Sequence, residues 1–350
     1  MANGSEKPEL SPRSEALLLA TIDEFIATAE PVGSNQIASR YSIGVRAAMV
    51  RNLMAELEEL GYLHQPHASA GRVPTDKAFR HYVDRVMPQR RIGFEDRTQI
   101  ELHYSGQSGN TDIGAVMRET SRLLAVLSGQ AALVMAPRLE AISLERVSFV
   151  RLRERGVLAI FAATAGAVHN QLVETERDYQ QSELDRMAGY LNDSLHGRTL
   201  VEARSWIEAR LREDRARYDR FVREALVLGS AVAGRLEESE LYVGGSAQAF
   251  EQPEFMDRNK MRELLRALED KTALLDLLER SLKESGPTVS IGTENFDSHL
   301  ADFSVIASPY QSGSTPLGSL AVVGPVRMDY QRMIALVDYT ARALSRVLDH

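Results

Sequence analysis

Apolar residues in the first ninety positions recur at helical spacing in short bursts. Leu18, Ile22, Phe25 and Ile26 line one face of a first helix in RSEALLLATIDEFIATAE. Pro31 and Gly33 of PVGS break it, and Ser34 is placed to cap the next helix. In that helix, NQIASRY, Ile37 and Tyr41 stand four apart. After the SIG turn, Val50, Leu53, Met54 and Leu57 make the buried stripe of a third helix over 46–60, which Gly61 stops. Tyr62 to Gln65 reads as a strand, PHASAG as a turn and RVP as the return strand. Thr75 caps a closing helix with apolar positions Phe79, Tyr82, Val83 and Val86. Helices followed by a hairpin predict a winged helix-turn-helix over 13–90, behind a disordered tail at 1–12.

Periodicity changes after that. Residues 91–112 are polar and Gly-containing, which predicts a linker. AVMRETSRLLAVLSG then reads as a helix, QAALVMAP as a strand, and alternation around the turns ERG and TAG as a three-stranded meander, all within 113–180. From 181 to 285 apolar residues repeat at three and four, so that stretch is expected to be mainly helical. VSIGTEN, FSVIASPY and GSLAVVGPV read as late strands within 286–350, before an amphipathic helix from about Tyr330 to Leu348. Early and late strands make one sheet if the middle is an insertion. Helical stripes of this kind are ordinarily intramolecular core, with pairing of two copies as the other reading.

Charge is unevenly spread. The chain carries 41 Lys and Arg against 49 acids, yet from Gly33 to Arg91 nine cations face five carboxylates. The net acidity therefore sits beyond residue 91, and the basic segment is N-terminal. Opposite the stripe of the third helix stand Ala48, Met49, Asn52 and Ala55, flanked by Arg51, with Arg46 at the start and no acid until Glu56, Glu58 and Glu59. Carboxylates at a helix C-terminus oppose the macrodipole. The pattern instead suits a helix whose front end meets a polyanion, where small side chains permit close approach and Asn can pair with adenine. His67 and Arg72 on the hairpin would then lie beside the phosphate backbone or in the minor groove. Such modules also serve as protein contacts, and His67 taken alone reads more readily as a plain surface residue than as a contact.

Other chemistry is thin. With no cysteine, disulfides, thiolate metal sites and cysteine nucleophiles are excluded. No His pair has metal spacing, VGGS lacks a Walker lysine, and no nucleophile elbow is present, so neither catalytic residue, metal nor cofactor is expected. GPVRMDY, with Arg327 and Asp329, reads most simply as a strand-to-helix turn capped by Asp329. The polar, Pro-bearing MANGSEKPELSP is no signal peptide and no run spans a bilayer, so a cytoplasmic protein with no membrane partner is expected.

The stretch MVRNLMAELEELGYLHQPHASAGRVPTDKAFRHYVD resembles the N-terminal signature of the HrcA family of heat-inducible transcription repressors. LYVGGSAQAFEQPEF, IGTEN and the closing GSLAVVGPVRMDYQRMIALVDYTARALSRVL are similar to further blocks of that family, in family order. The resemblance implies an α+β multidomain chain: the winged helix, a GAF-like α/β sheet domain in two parts (113–180 and 286–350), and a helical dimerisation domain inserted at 181–285, with Trp206 among its candidate contacts. It also implies a homodimer on double-stranded DNA at the inverted repeat known as CIRCE, repression of chaperone operons, and relief on heat stress when a GroE-type chaperonin is occupied elsewhere. The set expected at the DNA is Ser34, Asn35 and Gln36, then Arg46, Ala48, Met49, Arg51 and Asn52, then His67, Ser69, Gly71, Arg72 and Lys77. Where the family has Ser-Ala-Thr before this segment, the chain has Ala47, Ala48 and Met49, so two hydroxyls that could hold phosphates are missing. The other reading is a small-ligand-sensing GAF-type regulator whose winged helix grips a protein or a different operator.

Overall fold

Ser11 opens the first helix: its Oγ accepts the Ser14 N–H at 3.1 Å, and Pro12 follows where its missing N–H costs nothing. The structure, a computed structural model, describes residues 10–41, 47–89, 91–105, 113–138, 143–163, 168–213, 220–233, 241–245, 252–295 and 297–349. Most of the expected tail, residues 1–9, lies outside these, while Ser11 caps and Pro12 begins α1 (Pro12–Thr28). Twelve α-helices and three sheets occur among the described residues.

Helix α2 (Ser34–Arg40) is capped by Gly33, whose carbonyl accepts from Gln36 and Ile37 N–H; Ser34 is the first helical residue rather than the cap expected. Helix α3 (Ala47–Glu59) buries Val50, Met54 and Leu57 and half-buries Leu53. Gly61, at φ +76°, ends it by letting the Tyr62 N–H return to Leu57 O at 2.9 Å. Strands β1 (Leu63–His64) and β2 (Val73–Pro74) pair antiparallel, and Val32 and Arg72 exchange both backbone hydrogen bonds at 2.9 Å, tying the hairpin base to the α1–α2 turn. Thr75 caps α4 (Asp76–Val86), accepting from the Ala78 N–H.

The described part of the expected linker, 91–105, is mostly helical, and 106–112 lie outside the described residues. Residues Phe94–Ser105 form α5, which buries only Ile100, Tyr104 and the Asp96 carboxylate. Its partner is the last helix, α12 (Tyr330–Leu348), which occupies the span its periodicity predicts and is capped by Asp329, as expected. Arg332 of α12 forks onto Asp96, both bonds at 2.9 Å.

Five antiparallel strands form the central sheet in the order β7 (Leu241–Gly244), β3 (Ala131–Met135), β10 (Thr315–Pro325), β9 (Phe303–Ser312), β8 (Thr288–Ile291). One face, with Val134, Leu320, Val322, Ile306 and Tyr310, packs under α12 and α6 (Ile113–Ser128). The other, with Leu133, Val323, Val305 and Phe303, is covered by α10 (Arg258–Glu269) and α11 (Lys271–Ser281).

The meander β4 (Leu144–Arg153), β5 (Gly156–Ala163), β6 (Val168–Glu174) does not join that sheet, contrary to the expectation that early and late strands make one sheet. It shares a separate core with α7 (Gln181–Leu195), α8 (Leu200–Glu213) and α9 (Arg220–Ala233). The insertion therefore runs from about 143 to 233, between the neighbouring strands β3 and β7, and residues 241–285 return to the central sheet. The outer edge of β4 is closed by side chains of α7. Asn192 bonds both the N–H and the carbonyl of Val147 (2.6 and 2.9 Å), and Gln181 takes the Arg151 N–H and Phe149 O. Trp206 packs within this core, 6.5 Å from the Tyr190 ring.

The N-terminal helices are welded to the central sheet. Phe79 of α4 lies 5.8 Å from the Tyr330 ring, and both are buried in one continuous cluster. At the rim of this contact, the β8–β9 turn clasps α4. Asp76 accepts from Thr293 N–H at 3.1 Å, and Arg80 binds the Glu294 carboxylate and Val289 O. Gly292, at φ +53°, sits where a Cβ would collide with the Asp76 carboxylate. Burial pushes the Glu294 carboxyl up, but the Arg80 guanidinium and Ile291 N–H outweigh it and its pKa falls below the ordinary value. A depressed carboxylate stabilises above its unfolded pKa, so this clasp weakens as pH falls through the lowered value.

Phe79→Ala should cost about 3–5 kcal/mol, the range for a large buried aromatic. Guanidinium denaturation of the full chain reads it; a loss below about 1 kcal/mol would mean that the two sides share no core.

Candidate nucleic-acid interface

A buried carboxylate organises the front of the molecule. Glu24 of α1 has no exposure and accepts from Gln36 Nε2 and Arg40 NH1 at 2.7 Å each and from Tyr41 OH at 3.2 Å. An ion taken out of water needs such a full set of donors. Glu24 thereby fixes α2 across α1 and occupies Gln36.

Glu58 does the same for the hairpin. One oxygen accepts the Gln65 N–H at 3.1 Å and the other accepts from Arg72 Nε at 3.0 Å. Gln65 Nε2 then reaches Ala68 O and Ala70 O (3.2 and 2.7 Å), closing the turn from within. This is why a carboxylate stands near the α3 C-terminus against the macrodipole: it roots the hairpin.

The expected DNA-contacting residues therefore divide. Ala48, Met49, Arg51 and Asn52 are exposed along one face of α3, with Met49 46% exposed. His67 and Ser69 are exposed at the hairpin turn and Asn35 at the front of α2, with Ser34 half-buried behind it. Arg51, Asn52, Asn35, His67 and Ser69 make no side-chain hydrogen bond or ion pair among the described residues.

The remaining members have structural partners. Arg72 is only 16% exposed and is held by Glu58. Lys77 Nζ donates to Leu60 O at 2.7 Å and lies 4.3 Å above the Tyr62 ring, so it caps the α3 terminus. Gly71 is required by close approach, since a Cβ there would come within 2.5 Å of Pro31 O. Arg46 lies outside the described residues. Sequence reasoning missed Glu24 and Glu58; the signal for Glu58 was its unfavourable position on the helix.

What the arrangement can do is narrow. It presents an exposed α3 face of small, amide and guanidinium side chains and an exposed hairpin turn. No group of acids and histidines that could hold a metal occurs among the described residues. Nor is any described helix long and apolar enough to cross a membrane.

Comparison with known proteins gives consistent matches. The family described as HrcA protein C terminal domain matches residues 114–334. A heat-inducible transcription repressor HrcA of Geobacter sulfurreducens is 41% identical over 97% of this chain and 99% of its own. Its counterpart in Syntrophobacter fumaroxidans is 39% identical over 97% and 98%. A crystal structure of a protein described only as hypothetical superposes with a TM-score of 0.68 at 24% identity, covering 97% of this chain and 99% of that one, which shows a common fold.

Glu58→Gln should leave the helices folded but loosen the hairpin. Amide exchange over 65–72 should accelerate while global stability falls by roughly 1 kcal/mol or less, as for a partly exposed pair. Unchanged exchange there would show that Glu58 does not root the hairpin.

Proposed function

The chain belongs to the HrcA family of heat-inducible transcription repressors, and from that premise we propose that its α1–α4 segment is a winged helix reading an inverted-repeat operator. The family is one of transcription repressors, not enzymes. The observation that carries the reading is the α3 face: Met49, Arg51 and Asn52 stand exposed, with no side-chain hydrogen bond or ion pair among the described residues, and the His67–Ser69 turn is exposed as well. An α-helix fits the major groove, where Arg and Asn pair with guanine and adenine edges. His67 and Ser69 then lie along the adjacent backbone. Arg72 acts indirectly, through the hairpin it anchors.

The central sheet with its helices on both faces is read as the GAF-like domain, and the 143–233 unit as the dimerisation domain. A surface on that unit supports pairing. The row Val150–Leu158–Leu172 runs in register across all three strands, and Val150, Leu152 and Leu172 are 38%, 56% and 47% exposed. Such outward apolar residues on a small sheet are ordinarily covered by a partner. A two-fold dimer presents two equal α3 faces, which suits a palindromic site. Repression of chaperone operons at a CIRCE-type repeat in the cytoplasm, relieved when unfolded protein occupies a GroE-type chaperonin, is the regulation this membership points to.

Binding of the full chain to an inverted-repeat duplex tests this. Asn52→Ala and Arg51→Ala should each cost about 1–3 kcal/mol and relax preference at one position per half-site. Unaltered preference would remove α3 from the groove. Separately, Leu172→Asp should convert a dimer to monomer in sedimentation; a variant that stays dimeric would place the interface elsewhere.

A further inference from the structure

The exposed face of α3 carries one long side chain that cannot read a base by hydrogen bonding. Met49 stands in the first turn of the helix, 46% exposed, three residues before Asn52. Ala48 beside it is small and exposed, so the first turn can approach another surface closely. Arg51 and Asn52 bring directed donors, which neither spends on a partner among the described residues. Met49 brings an apolar thioether on a flexible stem, and its sulfur is a weak acceptor. When the helix closes on a groove, this side chain leaves water. Against a phosphate oxygen or a purine N7 or O6 it would dehydrate a polar group and return no hydrogen bond. The edges of the bases in the major groove offer one apolar group, the C5 methyl of thymine, and there the contact buries carbon on carbon.

We propose that Met49 is a specificity-determining residue that selects thymine by packing on its C5 methyl. The inference rests on the reading that α3 enters the major groove. Side chains three apart on a helix have Cβ atoms about 5–6 Å from each other. With bases stacked about 3.4 Å apart along a strand, the selected thymine lies one or two base pairs from the base that Asn52 contacts. Selection of this kind uses no hydrogen bond, so it adds to the Arg51 and Asn52 contacts without competing for their partners.

The test is binding of the full chain to the inverted-repeat duplex with each thymine replaced in turn by deoxyuridine, symmetrically in both half-sites. The exchange removes the methyl and keeps every hydrogen-bonding group of the base. At one thymine the unaltered chain should lose about fourfold in affinity per half-site, the worth of one buried methyl group. Met49→Ala should bind the thymine duplex more weakly by at least that factor and no longer distinguish thymine from deoxyuridine at that position. An unchanged melting temperature, expected for an exposed side chain, separates lost contact from lost fold. Asn52→Ala should keep the methyl discrimination while relaxing preference at its own position. Indifference of the unaltered chain to deoxyuridine at every position, or discrimination that persists in Met49→Ala, would overturn the proposal. If Asn52→Ala still relaxes base preference in either case, α3 reads the groove and the role of Met49 alone falls; if neither variant alters preference, the groove reading falls with it.

Discussion

The seating of α4 on the central sheet is the contact from which the rest of the architecture follows. Phe79 enters the same buried cluster as Tyr330, Ile306 and Leu336, so the core of the N-terminal helices is continuous with that of the central sheet. Around that apolar seat several polar groups are committed: Tyr330 OH to Ser304 Oγ and Val326 O, Asp76 and Arg80 to the β8–β9 turn, and Arg327 to Ile26 O and Glu254. A shared core closed by satisfied polar groups resists hinge motion, since opening it exposes apolar surface and unpairs ions together. The α3 face is thus held in one direction relative to the sheet.

Within the N-terminal segment, carboxylates decide which cations are left to act outward. The segment from 33 to 91 is basic by count, yet Arg40 goes to Glu24, Arg72 to Glu58, Arg80 to Glu294 and Lys77 to a helix terminus. Among the described residues, these four cations therefore serve as scaffolding within the protein. Arg51 is the cation that α3 still offers to solvent.

Much of this was legible in the chain itself. Local periodicity gave the stripe of α3, the Gly61 stop, the Thr75 and Asp329 caps and the span of α12, because each depends on neighbours within a few residues. Partnership between distant segments was not legible. The alternation of β4–β6 looks the same whether the strands join the central sheet or stand apart with α7–α9. Helix α5 escaped because its buried stripe is one residue wide and includes Asp96, whose partner Arg332 lies over two hundred residues away. Arg72 and Gln36 read as free donors because nothing local reveals the carboxylates that claim them.

Native-state hydrogen exchange tests the central claim most directly, by measuring the opening free energies of the slowest amides in α4, β9 and α12. A shared core predicts that all three open together, with the same free energy and the same denaturant dependence. If α4 opened several kcal/mol more easily than β9 and α12, the N-terminal helices would be an independent domain on a tether and the account would be wrong.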